Sequence, residues 1–299
     1  MDMKELRAAA KERLKGYCSV CNTCDGRVCA GKVPGMGGSL TGASFIANVE
    51  DLKKVKVRMK TIHDAKNPDL SFNFFGLKLE LPLISAPITG SAFNMGGALS
   101  EIEYIDSVVN GSVDAGTIAM IGDSANPTFY DIGINTLKKV NGKGVPIIKP
   151  KENPVVINSI RKAEEIDAIA VGMDIDVAGL ITMALQGAPV GPKTLEELKE
   201  ITSSTNLPFI LKGIMTREEA LLAVEAGAKA IVVSNHGGRV LDSTQSTAKV
   251  LPEIAEAVKG KIMILVDGGI RTGVDIFKMI ALGADAVLVG RPIIVGAFG

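Results

Sequence analysis

The 299-residue chain has no tryptophan, and its aromatic residues amount to only 4%. Hydrophobic residues still make up 46%, so a large core must be packed from Ile, Val, Leu, Ala and Met. An excess of either charge is also missing, since 33 Lys and Arg balance 33 Asp and Glu. With no long basic run, neither nucleic acid nor an anionic membrane surface is expected as the main partner. No apolar run reaches about 18 residues, so no membrane-spanning helix is expected. Residues 1–5 open a charged helix and lack the apolar core of a signal peptide, which makes a cytoplasmic location the default. No cysteine follows Cys29, which excludes a thiol nucleophile from the remainder of the chain. Histidine is scarce too: His63 and His236 are the only two.

What is present from residue 83 onward is regular. Short apolar runs recur near 83–88, 117–121, 145–149, 168–174, 208–212, 229–234, 262–267 and 285–290. They lack polar alternation, as parallel strands covered on both faces do. Helical patterns lie between them, such as 216–226 and 272–282. Thr216 with Glu219 three residues on signals a helix start. Gly227 and Gly283 stand where helices should stop. Eight strands with crossover helices predict an α/β fold, a (β/α)8 TIM barrel of roughly 250 residues, over 46–299. Residues 1–45 form an N-terminal helix and a Cys-rich extension. The eighth strand ends close to Gly299, so the closing helix is expected to be missing, or replaced by the N-terminal one. An open doubly wound sheet is the alternative.

In such a barrel, chemistry sits at the C-terminal strand ends. There the sequence places Thr89, Lys149, Asp174, Lys212, Ser234, His236, Asp267 and Arg271. The most informative stretch is Ser234-Asn235-His236-Gly237-Gly238-Arg239. Histidine can serve as a base near neutral pH, and arginine fits a carboxylate. A second group is Asp267-Gly268-Gly269-Ile270-Arg271 with Gly290-Arg291-Pro292. Glycine turns and arginines after strands 7 and 8 are the recurrent phosphate site of these barrels.

Together with Lys212-Gly213, these motifs resemble the FMN-dependent 2-hydroxy-acid dehydrogenase and oxidase family in order and spacing. The likeness extends over residues 33–299 and is strongest from 208. It implies FMN as cofactor and a small L-2-hydroxy acid, such as lactate or glycolate, as substrate. Pro87, Ile88 and Thr89 would line the flavin, Lys212 would stabilise charge on its reduced ring, and Ser234 would touch it. Asp267, Gly268, Gly269, Arg271, Gly290 and Arg291 would hold its ribityl phosphate end. His236 would take the substrate's proton and Arg239 would bind its carboxylate. Family members often assemble as homo-oligomers, so that is expected here too.

The chain departs from the family in several places. No tyrosine precedes the Gly-rich stretch Pro34-Gly35-Met36-Gly37-Gly38. Ile147 and Lys149 stand where the family has glutamine and tyrosine, Gly122 stands at or near the place of a serine, and residues 174–180 lack a second arginine. Lys149 is therefore read either as a substrate contact or as a solvated lysine. Asp174 is expected to orient His236 and raise its basicity. The family pattern also lacks the cluster Cys18, Cys21, Cys24 and Cys29, spaced C-x2-C-x2-C-x4-C. Four such thiolates suit an iron–sulfur cluster or tetrahedral zinc; disulfides or free thiols are the alternative. A cluster beside a flavin would suggest a protein electron acceptor, while a structural knot is the plainer role. Two other functions compete with the hydroxy-acid reading: an FMN-dependent type 2 isopentenyl-diphosphate isomerase, and a non-catalytic flavin or iron–sulfur electron carrier.

Overall fold

The computed structural model describes residues 2–299, so Met1 of the expected N-terminal helix lies outside the described residues. Helix α1 (Met3–Arg13) starts at Asp2, whose carboxylate accepts from Lys4 and Glu5 N–H groups. The cysteine segment follows, then α2 (Ala43–Lys54). Strands β1 (Phe72–Phe74) and β2 (Leu77–Leu79) form an antiparallel hairpin that the apolar pattern did not reveal.

Eight parallel strands then close into a barrel. They are β3 (Leu83–Ser85), β4 (Ile118–Gly122), β5 (Gly144–Ile148), β6 (Val171–Asp174), β7 (Phe209–Ile214), β8 (Ala230–Val233), β9 (Met263–Val266) and β10 (Ala286–Val289). All eight expected strands are found. Val287 pairing with Leu83 closes the ring.

The continuous apolar runs are explained by two separate cores. Ala230 and Val232 of β8 join the barrel interior, with Ile84, Met120, Ile210 and Leu265. Their neighbours Ile231 and Val233 join the layer between barrel and helices. Alternate residues of a strand point to opposite faces, so a strand with two dry faces must be apolar at every position. Phe74 and Leu79 of the hairpin belong to the interior cluster and are fully buried.

The helices around the barrel are α3 (Ser91–Met95), α4 (Glu101–Asp114), α5 (Pro127–Lys139), α6 (Asn153–Glu164), α7 (Ile181–Leu185), α8 (Leu195–Ser203), α9 (Arg217–Glu225), α10 (Thr247–Val258), α11 (Gly273–Ala281) and α12 (Arg291–Ala297). Thr216 caps α9 by accepting from Glu219 N–H, as expected. The closing helix, expected to be missing, is present in short form as α12. Helix α1 packs beside it: Arg13 donates to the Phe298 and Gly299 carbonyls, the latter at 2.8 Å. Leu14, just after α1, is fully buried. Among the described residues, no helix is long and apolar enough to cross a membrane.

Candidate active site

A cleft of about 1150 Å3, open to solvent, lies at the C-terminal mouth of the barrel. Every barrel strand must end in a loop there, and those loops supply its walls. Pro87, Ile88 and Thr89 come from the loop after β3, Lys149 from after β5, and Lys212 from β7. His236, Gly237 and Arg239 follow β8; Asp267 to Arg271 follow β9; Gly290 and Arg291 follow β10. The expected site residues therefore converge, with Asp174 and Ser234 lying behind the wall. Phe93, Phe129, Leu180 and Met183 add an apolar side.

Two lysines flank one carboxylate at the floor. Asp174 is completely buried. It accepts a hydrogen bond from Lys149 Nζ at 2.8 Å and forms an ion pair with Lys212 Nζ, also at 2.8 Å. Burial alone would push the Asp174 carboxyl up, but Lys149 and Lys212 outweigh it and hold it well below the usual carboxylate range. Burial likewise opposes the charge on Lys212, and Asp174, Asp176 and Asp267 overcome it, so its pKa is raised. Lys149 is therefore no solvated lysine: its side chain is 8% exposed and engaged with Asp174.

His236 stands above this group with its backbone in the left-handed region, φ +56°. Its N–H donates to Ser234 Oγ at 3.0 Å, which fixes the turn. Its Nδ1 lies 3.3 Å from Asp176 Oδ1 and 4.0 Å from Asp174 Oδ1. Asp176, two residues past the expected partner Asp174, is thus the nearer carboxylate to the ring, and both raise its basicity. The chain enters a 3-10 turn at Ile175, and that turn brings the second aspartate of Asp174-Ile175-Asp176 against the ring. Burial, then Lys212, lowers the His236 pKa, while Asp176 and Asp174 partly offset them. The net effect favours the neutral imidazole.

Ser234 Oγ donates to Asp267 Oδ2 at 2.8 Å. It orients that carboxylate, whose pKa burial raises. Arg239 is half-buried, with its Nη1 donating to the Gly35 carbonyl and Nη2 to Asn94 Oδ1 at 3.0 Å. Burial lowers its pKa to about 10. Its guanidinium thus binds the Gly-rich stretch and faces the cleft at once.

The other end of the cleft is built for an anion. Gly268 and Gly269 have φ +97° and +78°, and a Cβ at Gly269 would sit 2.3 Å from the Asn48 carbonyl. Arg291 lies over the Phe45 ring, 3.7 Å from its centroid, and donates to the Met36 and Gly237 carbonyls. Arg271 reaches back to Cys24 Sγ at 3.4 Å. Its Nε and Asp267 Oδ1 are buried without a partner in the protein. Buried polar atoms without partners mark places where a polar ligand completes the bonding. The glycine turns, arginines and unpartnered atoms fit the phosphate and ribityl end of FMN, and Lys212 fits its polar ring edge. Phe45, Asn94 and Asp176 were not singled out from sequence. Only Asp176 carried a signal, its place two residues past a strand end.

The four cysteines are half-buried free thiols. They occupy the loop between α1 and α2, held by Arg7 Nη2 donating to the Val20 and Cys21 carbonyls at 3.1 and 2.8 Å. Burial pushes the Cys18 and Cys29 thiols up, and the neighbouring thiols add to it.

Comparison with known proteins agrees with this geometry. The family model described as FMN-dependent dehydrogenase matches residues 35–186 and 182–299. A 4-hydroxymandelate oxidase of Amycolatopsis orientalis is 32% identical over 295 residues, covering 86% of this chain and 79% of that protein. A peroxisomal (S)-2-hydroxyacid oxidase of Arabidopsis thaliana is 29% identical over 294 residues, 87% of this chain and 78% of its own. A crystal structure of mandelate oxidase with (S)-2-phenylpropionate superposes with a TM-score of 0.75 at 30% identity, covering 98% of this chain and 86% of that one. With its barrel, its cleft and these matches, the chain belongs to the FMN-dependent dehydrogenase family, FMN-using enzymes acting on CH–OH donors.

Proposed function

We propose that the protein oxidises a small, lactate-like L-2-hydroxy acid to the 2-oxo acid. FMN, when bound, accepts the two electrons. The observation that carries this reading is His236 at the barrel mouth with Asp176 3.3 Å from its ring. A neutral imidazole can accept the substrate's proton, and the adjacent carboxylate then stabilises the cation formed. Arg239 binds the substrate carboxylate with N–H groups not committed to Gly35 and Asn94. The apolar wall of Phe93, Phe129, Leu180 and Met183 faces the substrate's side chain and keeps water out.

Pro87, Ile88 and Thr89 line the ring of the cofactor. Asp267, Gly268, Gly269, Arg271, Gly290 and Arg291 hold its ribityl phosphate end. Lys212 supplies a fixed positive charge to the ring edge. Lys149 replaces the family's tyrosine, and its pairing with Asp174 leaves it as a charge near the substrate, not a hydroxyl donor. The isomerase reading has less support, since the relatives are oxidases and dehydrogenases. So has the carrier reading, since His236 and Arg239 both face the cleft.

The test is an anaerobic absorption spectrum of the flavin-loaded protein before and after L-lactate, glycolate or mandelate. Bleaching by one of them is expected in the native protein. In His236→Ala the rate of bleaching should fall by about 10²–10⁴-fold with FMN still bound. Bleaching at an unchanged rate in His236→Ala would remove the histidine from the mechanism. Flavin left oxidised by all three acids would sink the substrate class.

A further inference from the structure

We propose that Cys18, Cys21, Cys24 and Cys29 bind a [4Fe–4S] cluster that takes electrons from the flavin and delivers them singly to a protein acceptor. The cluster proposal stands on the cysteine loop itself; the relay step rests on the hydroxy-acid reading above.

Three observations carry it. The first is the sulfur set. The four free, half-buried thiols gather in one loop, and their C-x2-C-x2-C-x4-C spacing is close to one that iron–sulfur loops use. The loop is also set for sulfur ligation, since Val20 N–H donates to Cys18 Sγ at 3.4 Å.

The second observation is charge. Arg239, Arg271 and Arg291 converge between this loop and the cleft, and none forms an ion pair with a carboxylate among the described residues. All three are half-buried, and cations partly withdrawn from water without a counter-charge are costly. An FMN phosphate would compensate part of this charge. A cluster ligated by four thiolates is a net anion, and Arg271 already touches Cys24 Sγ at 3.4 Å.

The third is continuity. Arg271 lines the cleft and contacts Cys24. Phe45 lies beneath both guanidiniums and against Gly26, where a Cβ would come within 2.7 Å of its ring. Arg271 and Phe45 thus lie between Cys24 and the Gly268-Gly269 side of the cleft.

The electron count is simple. Oxidation of one 2-hydroxy acid breaks the Cα–H and O–H bonds, forms the C=O bond, and releases two electrons and two protons. Bound FMN would supply the two-electron acceptor, and a cluster held by the four cysteines would supply one-electron transfer to two equivalents of a one-electron protein acceptor, with both protons released to solvent.

The experiment uses full-length protein purified without oxygen. Iron, sulfide and zinc are quantified, and low-temperature EPR is recorded after dithionite and, separately, after L-2-hydroxy acid. About four irons and four sulfides per chain are expected, with a reduced-cluster EPR signal under both reductants. Cys24→Ser should lose the iron, keep FMN, keep the rate of substrate-driven flavin bleaching, and lose at least ten-fold in reduction of a one-electron acceptor. Should that variant fail to fold, the native protein's metal content and EPR decide alone. Stoichiometric zinc, or metal-free thiols, would overturn the cluster. A full cluster that stays oxidised while substrate bleaches the flavin would overturn the relay. Flavin that no hydroxy acid bleaches, beside a dithionite-reducible cluster, would refute the substrate reading instead.

Discussion

Asp174 and Asp176 are two residues apart and do different work. Asp174 is completely buried between Lys149 and Lys212. Asp174→Asn leaves Lys149 buried without its counter-charge and Lys212 with only the more distant Asp267, 4.0 Å away, and should cost about 3–5 kcal/mol, read as a lower denaturation midpoint. The Asp174 carboxyl is held below its ordinary range, so its contribution is present at neutral pH and is lost only as pH falls through that depressed value. Asp176→Asn should barely move stability and should slow substrate oxidation. The His236 pKa is already lowered, so the native pH profile should keep its base form active below the ordinary histidine value of about 6.5. Asp176 is one of the groups that raise the pKa, so its loss should move the acidic limb to still lower pH. An unchanged limb in Asp176→Asn would separate this carboxylate from the histidine.

At the scale of elements, the phosphate end depends on a loop, a helix and a strand end meeting. Phe45 of α2 supports Arg291 from beneath at 3.7 Å. Phe45→Leu removes the ring face and should weaken FMN by about 0.5–2 kcal/mol, measured by fluorescence titration of the apoprotein. Gly269 allows the turn after β9 to press on α2. Gly269→Ala adds a Cβ 2.3 Å from the Asn48 carbonyl at a φ of +78°, which should cost more FMN affinity than Phe45→Leu. The barrel strands were legible as eight apolar runs because both of their faces are dry. The hairpin of β1 and β2 was not, since three-residue strands leave too short a pattern to read. The short α12 was missed for a related reason: seven residues opening with Arg291-Pro292 carry little helical periodicity.

Across the whole molecule, residues 1–45 are read as an extension of the barrel, yet they close one side of it. Leu14 is fully buried, and Arg13 holds the carbonyls of Phe298 and Gly299. Ser39 N–H donates to the Gly238 carbonyl at 2.7 Å, beside the active-site turn. Leu14→Ala should therefore destabilise the entire protein by about 2–5 kcal/mol, in one cooperative transition followed by both flavin fluorescence and circular dichroism. Two separate transitions would instead show that the N-terminal segment folds independently.

By itself the sequence determined the strand count, the barrel, and most of the residues that gather at its mouth. Those features are local: apolar runs, glycine turns and polar residues at strand ends are written in consecutive positions. Which carboxylate faces His236 was decided only in three dimensions, because a 3-10 turn after β6 carries Asp176 to the ring and leaves Asp174 beneath it. The partners of Lys149 and Arg239 were also beyond the sequence. Lys149 meets Asp174 across 25 positions, and Arg239 meets Gly35 across 204. Contacts so distant along the chain leave no periodic trace, and only closure of the barrel brings them together.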